Sequence, residues 1–283
     1  MTAEEITGRT EDLPVVSETA RQLITLLTNP ETPGEEVVKV LHCDNVLTAK
    51  VLRLCNSAQL GLARPVGSID QAVLLLGYNA VYRMVCTIGF GAPMGSEQLG
   101  QSVENNGLWA HSLSIGLGAE FLTSTESYGQ FPPSIAFTAG LLHDIGKLAL
   151  SRILTPKSRA EIREVMTSQS LPRVAAEKAV LGADHAEVGA CLLQKWGLPP
   201  IIIEGVSHHH TPVVQPEVQL STVVYLSNFA AHLTGTGLGW DAYAVHAHQT
   251  AAEVLGLELG KVTQMIAAVQ EAMKAANQFL HVA

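Results

Sequence analysis

The stretch Ala139-Gly140-Leu141-Leu142-His143-Asp144-Ile145-Gly146-Lys147 sets an imidazole directly beside a carboxylate. The two side chains can ligate one divalent cation from both sides of a helix turn. The carboxylate keeps a second oxygen with which to bridge to another cation. A His-Asp dipeptide alone is common and carries little. Here four more histidines accompany it, His111 upstream and His185, His209 and His210 downstream, at separations that suit one helix each. That set is what a metal site assembled across a helical bundle needs.

The bulk properties narrow the reading. A chain of 283 residues makes one large domain or two small ones. At that size about 75% of the unfolded surface can be buried, so no disulfide staple is required. Lys and Arg total 17 against 26 Asp and Glu, a formal charge of −9. An acidic balance disfavours direct contact with a nucleic-acid backbone or an anionic membrane, while leaving room for a local basic pocket. Cys43, Cys55, Cys86 and Cys191 form no CxxC pair, and Cys55 and Cys191 lie in helical apolar patterns that read as buried free thiols. Met1-Thr2-Ala3-Glu4-Glu5 is acidic and lacks a signal-peptide core, and no run of 18 apolar residues occurs. The expectation is a cytoplasmic protein without a membrane span.

The pattern is helical nearly throughout. Thr32-Pro33-Gly34-Glu35 and Ser68-Ile69-Asp70-Gln71 read as capping boxes, the second opening a helix that Gly77 closes. Asp44, Asn79 and Asp184 read as N-caps of helices beginning at Asn45, Ala80 and His185. Ala20, Leu23, Ile24 and Leu27 share one helix face, and Asn29-Pro30 ends that helix. A softer stretch, Gly91-Ala92-Pro93-Met94-Gly95-Ser96, is expected to separate an N-terminal half from a long helix over about 103–122 that carries His111. Tyr128-Gly129-Gln130-Phe131-Pro132-Pro133 reads as a loop, and Pro199-Pro200 starts the helix that ends at His208-His209-His210. Asn228 falls on a helix over about 220–233, and Gly235-Thr236-Gly237-Leu238-Gly239 links to two last helices. No segment alternates with period two, so no sheet is expected.

In order and context the histidine set resembles the HD superfamily of metal-dependent phosphohydrolases, and more closely its HDOD (HD-related output domain) branch of bacterial signalling proteins. The resemblance rests on Asp44 to Ala58, on Ser68-Ile69-Asp70-Gln71-Ala72-Val73 with Leu76-Gly77, and on Gly140 to Lys147. Further blocks are Gly182-Ala183-Asp184-His185-Ala186-Glu187-Val188-Gly189, Trp196-Gly197-Leu198-Pro199 and His209-His210-Thr211-Pro212. It covers about residues 13–235. It implies an all-α, two-lobed helical protein: an N-terminal helix bundle at 9–98, an HD-like helical domain at 99–235, and C-terminal helices at 236–283 packed on the module.

The resemblance also implies a ligand set. One cation would see His111, His143, Asp144 and residue 228, and a second would see Asp144, His185, His209 and His210. In a two-metal hydrolase, cations ~4 Å apart lower the pKa of a bridging water and clamp phosphate oxygens. Lys147, one turn past Asp144, could meet a substrate phosphate as a point charge. Residue 228 departs from the catalytic pattern: Leu226-Ser227-Asn228-Phe229 has an amide where an active enzyme has Asp. Asn228 would be a weak, neutral ligand. Thr211-Pro212, rather than a Gly-Tyr-Pro segment, follows the histidine pair, unlike the cyclic-dinucleotide phosphodiesterases of the superfamily.

Each residue has a plainer reading as well. His111 fits a hydrogen-bonded core histidine, His143-Asp144 a charge-assisted brace between helices, and His185 part of a helix start. His208 suits a solvent-facing helix end, Lys147 a solvated side chain, and Trp109 and Trp196 packing anchors. The bundle residues Leu47, Val51 and Leu54 form one apolar stripe, and Val73, Leu74 and Leu76 part of another, for which the HD-like lobe is the nearest cover. Three functions stay open. The first is a bacterial signal-transduction module acting through contacts with other signalling proteins, without catalysis. The second is a metal-dependent phosphohydrolase acting on a nucleotide or cyclic nucleotide, with Asp144 and Lys147 in catalysis. The third is a small-ligand sensor whose pocket takes a nucleotide or phosphate. The cofactor expected is a divalent transition metal, Fe, Zn, Mn or Ni, which imidazole and carboxylate suit. A homo-oligomer is left open.

Overall fold

The caps and apolar stripes fold into a chain of short helices. The computed structural model describes residues 1–10, 18–27, 32–57, 62, 64–94, 104–124, 130–211, 219–233, 260 and 263–270. In order these form α1 (Ala3–Gly8), α2 (Glu18–Leu27), α3 (Gly34–His42), α4 (Asn45–Cys55), α5 (Ile69–Leu76), α6 (Tyr78–Met94) and α7 (Glu104–Thr123). Then come α8 (Pro133–Leu142), α9 (Ile145–Ile153), α10 (Pro156–Gln169), α11 (Arg173–Leu181), α12 (His185–Lys195), α13 (Pro200–Ser207) and α14 (Leu220–Leu233). Residues 263–270 are helical too, and among the described residues there is no strand. The 235–239 link, Asn29-Pro30, Gly95-Ser96, Tyr128-Gly129 and Pro212 lie outside the described residues.

Two apolar cores organise the chain. The smaller is built by α2 to α6 from Leu23, Val37, Leu41, Leu47, Val51, Leu54, Ile69, Val73, Val81 and Val85, all buried. The larger is built by the later helices, with Ile115, Phe137, Leu141, Ile145, Val188, Leu193, Ile202 and Val224 among its members. Helix α6 serves both. Val81 and Val85, four residues apart, face the small core, whereas Tyr82 and Cys86, the neighbouring stripe, face the large one. Tyr82 Oη pairs with Thr138 Oγ1 of α8, and Arg83 donates to Glu120 of α7 at 3.0 Å, so polar contacts also tie α6 to the second lobe. Burial pushes the Cys86 thiol up to about 12, which makes it an inert packing group. Helix α1 joins the larger lobe, packing on α12 and α9, with the Met1 ammonium donating to the Leu181 carbonyl at 2.8 Å.

Several local expectations change in three dimensions. Asp44, Ser68 and Asp184 cap α4, α5 and α12 as expected, each side chain accepting from the backbone N–H three residues on. Thr32 does not cap α3; its hydroxyl donates instead to the Leu26 carbonyl at the end of α2, and Pro33 is the N-cap with no side-chain bond. Gly34 leaves room there for the Tyr78 ring, which a Cβ would strike at 1.7 Å. Asn79 lies inside α6, which starts at Tyr78 after Gly77 turns the chain at φ +80°. The first part of the soft stretch expected over 91–96 is helical, since α6 continues to Met94. Cys55 is buried, but Cys191 is only half-buried, sharing a hydrogen bond with Thr7 Oγ1. The second expected apolar stripe is only partly covered: Val73 is buried and Leu76 half-buried, whereas Leu74 is 84% exposed, as is its neighbour Leu75 at 59%.

Candidate metal centre

The site is assembled where four glycine-relieved helices meet. Helix α8 is buried at every position after Pro133, an apolar rod through the larger lobe. It crosses α7 so closely that a Cβ on Gly140 would meet the Ile115 carbonyl oxygen at 2.7 Å, and one on Gly116 the Phe137 carbonyl oxygen at 2.9 Å. This crossing brings His111 of α7 to the C-terminal end of α8. There the helix breaks for two residues, His143 and Asp144, before α9 begins at Ile145. Helix α9 meets α12 backbone to backbone: a Cβ on Gly146 would lie 1.9 Å from the His185 carbonyl oxygen. His185, the first residue of α12, is thereby placed beside Asp144. His209 and His210 follow the end of α13, which packs against α8, α12 and α14.

The Asp144 carboxylate divides this centre in two. Its Oδ2 lies 3.2 Å from His143 Nε2 and 3.6 Å from His111 Nε2. Its Oδ1 lies 3.3 Å from His185 Nε2 and 3.8 Å from His209 Nε2. His210 joins the second half through His185, their Nε2 atoms 2.9 Å apart. Donor atoms of His111, His143 and Asp144 all lie within 4.8 Å of one another, as do those of Asp144, His185, His209 and His210. Asn228, on α14, a helix that packs on α7, is buried with its Oδ1 lacking a hydrogen-bond partner.

The imidazoles are pre-set as ligands. His143 Nδ1 donates to the Gly140 carbonyl at 2.7 Å and His209 Nδ1 to the Val206 carbonyl at 2.6 Å. A carbonyl can only accept, so both rings carry a proton on Nδ1 and aim Nε2 at Asp144, where a neutral ring offers its lone pair. Those two Nε2 atoms are buried without hydrogen-bond partners. Buried orphans of this kind are costly, and an ion in the half-site that each one faces removes the cost. The donor set is chemically that of a transition-metal site, imidazole plus carboxylate, and the half formed by Asp144, His185, His209 and His210 is the better provided. These residues fit a divalent metal.

The charges are tuned by burial and by each other. Burial, then the neighbouring His143, drives the His111 pKa down to about 3. Burial and adjacent imidazoles likewise hold His209 and His210 well below the ordinary histidine value, in the neutral form that binds metal. Burial opposes ionisation of Asp144, but His143 and Lys147 hold its pKa well below the usual carboxylate range. His185 is the exception. Burial disfavours its cation, yet the carboxylate of Glu177 raises it to about 9.

Glu177 and Lys147 are where reading the sequence fell short. Glu177, on α11, is buried; its Oε2 accepts from His185 Nδ1 at 2.6 Å and from the His185 backbone N–H at 3.0 Å, while Arg173 Nε pairs with its Oε1 at 2.7 Å. Burial alone would raise its pKa, but His185 and then Arg173 hold it at about 2. This carboxylate fixes the orientation of a candidate ligand histidine. Its local sequence, Ala175-Ala176-Glu177-Lys178, offers no signal. His232, four residues past Asn228, places its ring 5.6 Å from that of His111, and its i+4 spacing was a legible clue. Lys147 is not the solvated side chain expected: it is 8% exposed, with Nζ 2.8 Å from Asp144 Oδ2. His208 is exposed at the α13 C-cap, as expected.

Known proteins place this arrangement. The HDOD domain model matches residues 13–212, well over half the chain. Similar solved structures include an HDOD domain protein with unknown function from Geobacter sulfurreducens, 25% identical, covering 99% of this chain and 95% of that one with a TM-score of 0.72. A protein of Shewanella amazonensis SB2B that carries the name phosphohydrolase is 24% identical, covers 97% of both chains and has a TM-score of 0.71. One of Marinobacter aquaeolei VT8 that carries the name signal transduction protein is 24% identical with a TM-score of 0.75, over 99% of this chain and 61% of that one. An uncharacterized protein of Treponema pallidum (strain Nichols) is 24% identical over 241 residues; the match takes 82% of this chain but 45% of that relative, so the chain spans less than half the relative's length. With a helical HD-like lobe carrying the His/Asp cluster and a family match across both lobes, the chain belongs to the HDOD domain family.

Proposed function

We propose that this protein is a bacterial signalling module that acts through contacts with other proteins and does not turn over a phosphodiester. The observation that carries this reading is Asn228. In the catalytic pattern residue 228 would complete the half-site of His111 and His143 with a second carboxylate; here it is a neutral amide, buried with its oxygen unpaired. A dication there is balanced by a single, shared carboxylate, too little for a two-metal hydrolytic centre. Protein contact is supported by the N-terminal lobe. Val46, Leu74, Leu75 and Tyr78 are large apolar side chains exposed on α4, α5 and the start of α6, the kind of surface a partner covers. The partner is expected on that lobe or at the lobe boundary rather than in the histidine pocket.

The pocket keeps a role as a binding site for one transition metal, held by Asp144, His185, His209 and His210. That quartet, together with the Shewanella protein's name, supports a second reading, a phosphohydrolase for a nucleotide or cyclic nucleotide. A bound metal would act there as a Lewis acid and lower the pKa of its water. The deciding experiment is a metal-supplemented turnover assay on cyclic di-GMP and a panel of other phosphodiesters, with wild type and Asp144→Ala compared. No hydrolysis above background is expected; robust hydrolysis that vanishes in Asp144→Ala overturns the non-catalytic reading.

A further inference from the structure

We propose that residues 1–10 are a clamp for the metal centre: they seat on α9, on α12 and on the turn before His185, and so hold the ligands of two helices in register. Ile6, Thr7 and the Met1 main chain are then positioning residues. The inference rests on the reading that Asp144, His185, His209 and His210 bind a metal. Residues 1–10 precede the stretch matched by the HDOD domain model, 13–212, so family membership assigns them no role. Three sets of contacts carry the proposal. The first is with α12. Ile6 is fully buried in the larger core, and Thr7, also buried, meets Cys191 Sγ at 3.3 Å through its Oγ1. Cys191 lies on the helix that His185 begins. The second is with the turn between α11 and α12. Gly182 turns there at φ +93°, and a Cβ on it would lie 2.6 Å from the Met1 carbonyl oxygen and 2.8 Å from the Met1 nitrogen. The Met1 main chain therefore fills the space beside that turn, and its nitrogen donates to the Leu181 carbonyl at 2.8 Å. The same turn is closed by Glu177, which accepts from both the backbone N–H and the ring of His185. The third is with α9, on which α1 packs as well as on α12.

The consequence follows from geometry. Asp144 is the residue before α9 and His185 is the first residue of α12. The spacing of these two helices therefore sets the 3.3 Å between Asp144 Oδ1 and His185 Nε2. The helices touch backbone to backbone where Gly146 meets the His185 carbonyl, and a segment seated on both opposes their separation. Metal–ligand distances tolerate only about 0.2 Å, so a small parting of α9 from α12 weakens the hold on an ion before it unfolds the lobe. The coupling is reciprocal. The factor by which docked α1 raises metal affinity is the factor by which bound metal favours docked α1.

The test measures the Co²⁺ affinity of the whole protein by competition with a chromophoric chelator, with thermal unfolding of each variant recorded beside it. Ile6→Asp puts a carboxylate into the apolar seat of α1 and detaches it, and affinity is expected to fall about tenfold. Leu122→Ala opens a cavity in the same core near the C-terminal end of α7. It is expected to lower the unfolding temperature and leave affinity unchanged. Equal affinity in wild type and a folded Ile6→Asp overturns the proposal, and so does an equal loss in Leu122→Ala. Wild type alone supplies a readout that no variant has to survive. Amide exchange of residues 3–8 is expected to slow about tenfold when Co²⁺ is added, with no such change in α3 of the smaller lobe. Unchanged exchange at residues 3–8, or the same slowing in α3, overturns the proposal while leaving the metal reading intact. No Co²⁺ bound by wild type defeats the metal reading itself, and this inference with it.

Discussion

Replacing Gly146 with alanine adds one methyl group where two helix backbones touch. Its Cβ would lie 1.9 Å from the His185 carbonyl oxygen and 2.7 Å from the Gly189 nitrogen, both main-chain atoms that no rotamer can move aside. Ordinary contact begins at 3.4 Å, so α9 and α12 must part by about 1.5 Å at this point. Overpacking of this kind costs about 3 kcal/mol at the upper end of its usual range, and alanine recovers about 1 kcal/mol of helix propensity over glycine. A net loss of roughly 2 kcal/mol remains. The displacement matters more to the site than to the fold. His185 sits on the moving backbone, and metal–ligand distances tolerate only about 0.2 Å. Gly146→Ala is therefore expected to fold with a lowered urea midpoint and to lose its bound transition metal after dialysis. Gly8→Ala, where a Cβ meets nothing within 4 Å, is the control and should leave both unchanged. A Gly146→Ala protein with wild-type midpoint and undiminished metal would refute the argument that this crossing builds the site.

Three further outcomes are expected. Glu177→Gln keeps the shape but weakens the anchor on His185, so metal affinity should fall by about 10- to 100-fold, read by competition with a chromophoric chelator; unchanged affinity means His185 is oriented by packing alone. Arg83→Ala leaves the half-buried Glu120 of α7 without this partner. Burial raises the Glu120 pKa from its usual 4.5 even with Arg83 present, so the protonated, low-pH form is the one the fold favours, and that contribution is lost as pH rises through the folded value. The loss of stability in Arg83→Ala should be about 1 kcal/mol at pH 7, below the cost of breaking a fully buried pair because Arg83 is 40% exposed. It should shrink toward pH 4.5; equal urea midpoint shifts at both pH values would contradict this. Leu74→Ser/Leu75→Ser should leave thermal unfolding within error of wild type, since both side chains face water, while abolishing capture of a cognate signalling partner; retained capture would move the docking surface elsewhere.

Much of this protein is determined by residues close together in the chain. Asp44, Ser68 and Asp184 start their helices by bonding a backbone N–H three residues away, a short-range event that any window of sequence contains. The all-helical class follows from the same caps and from apolar residues at helical spacing. The order His111, His143-Asp144, His185, His209-His210 was legible as a candidate cluster because the residue types are rare in apolar helices, and the structure brings these residues together. What tertiary structure alone decided are the relations that depend on distance through space. Gly146 reads as an ordinary helix residue until α12 lies against it. Glu177 looks like a surface carboxylate until His185, eight residues on, closes over it. Helix α6 serves two cores with two stripes, Val81 and Val85 on one and Tyr82 and Cys86 on the other, a division no local propensity records. Leu74 and Leu75 look like core until their side of α5 is left in water. Lys147 is the sharpest case: three residues from an aspartate it reads as a solvated ion pair, and only the burial of Asp144 among histidines turns it into a fixed internal charge, because the strength of a charge's interactions is set by the solvent excluded around it.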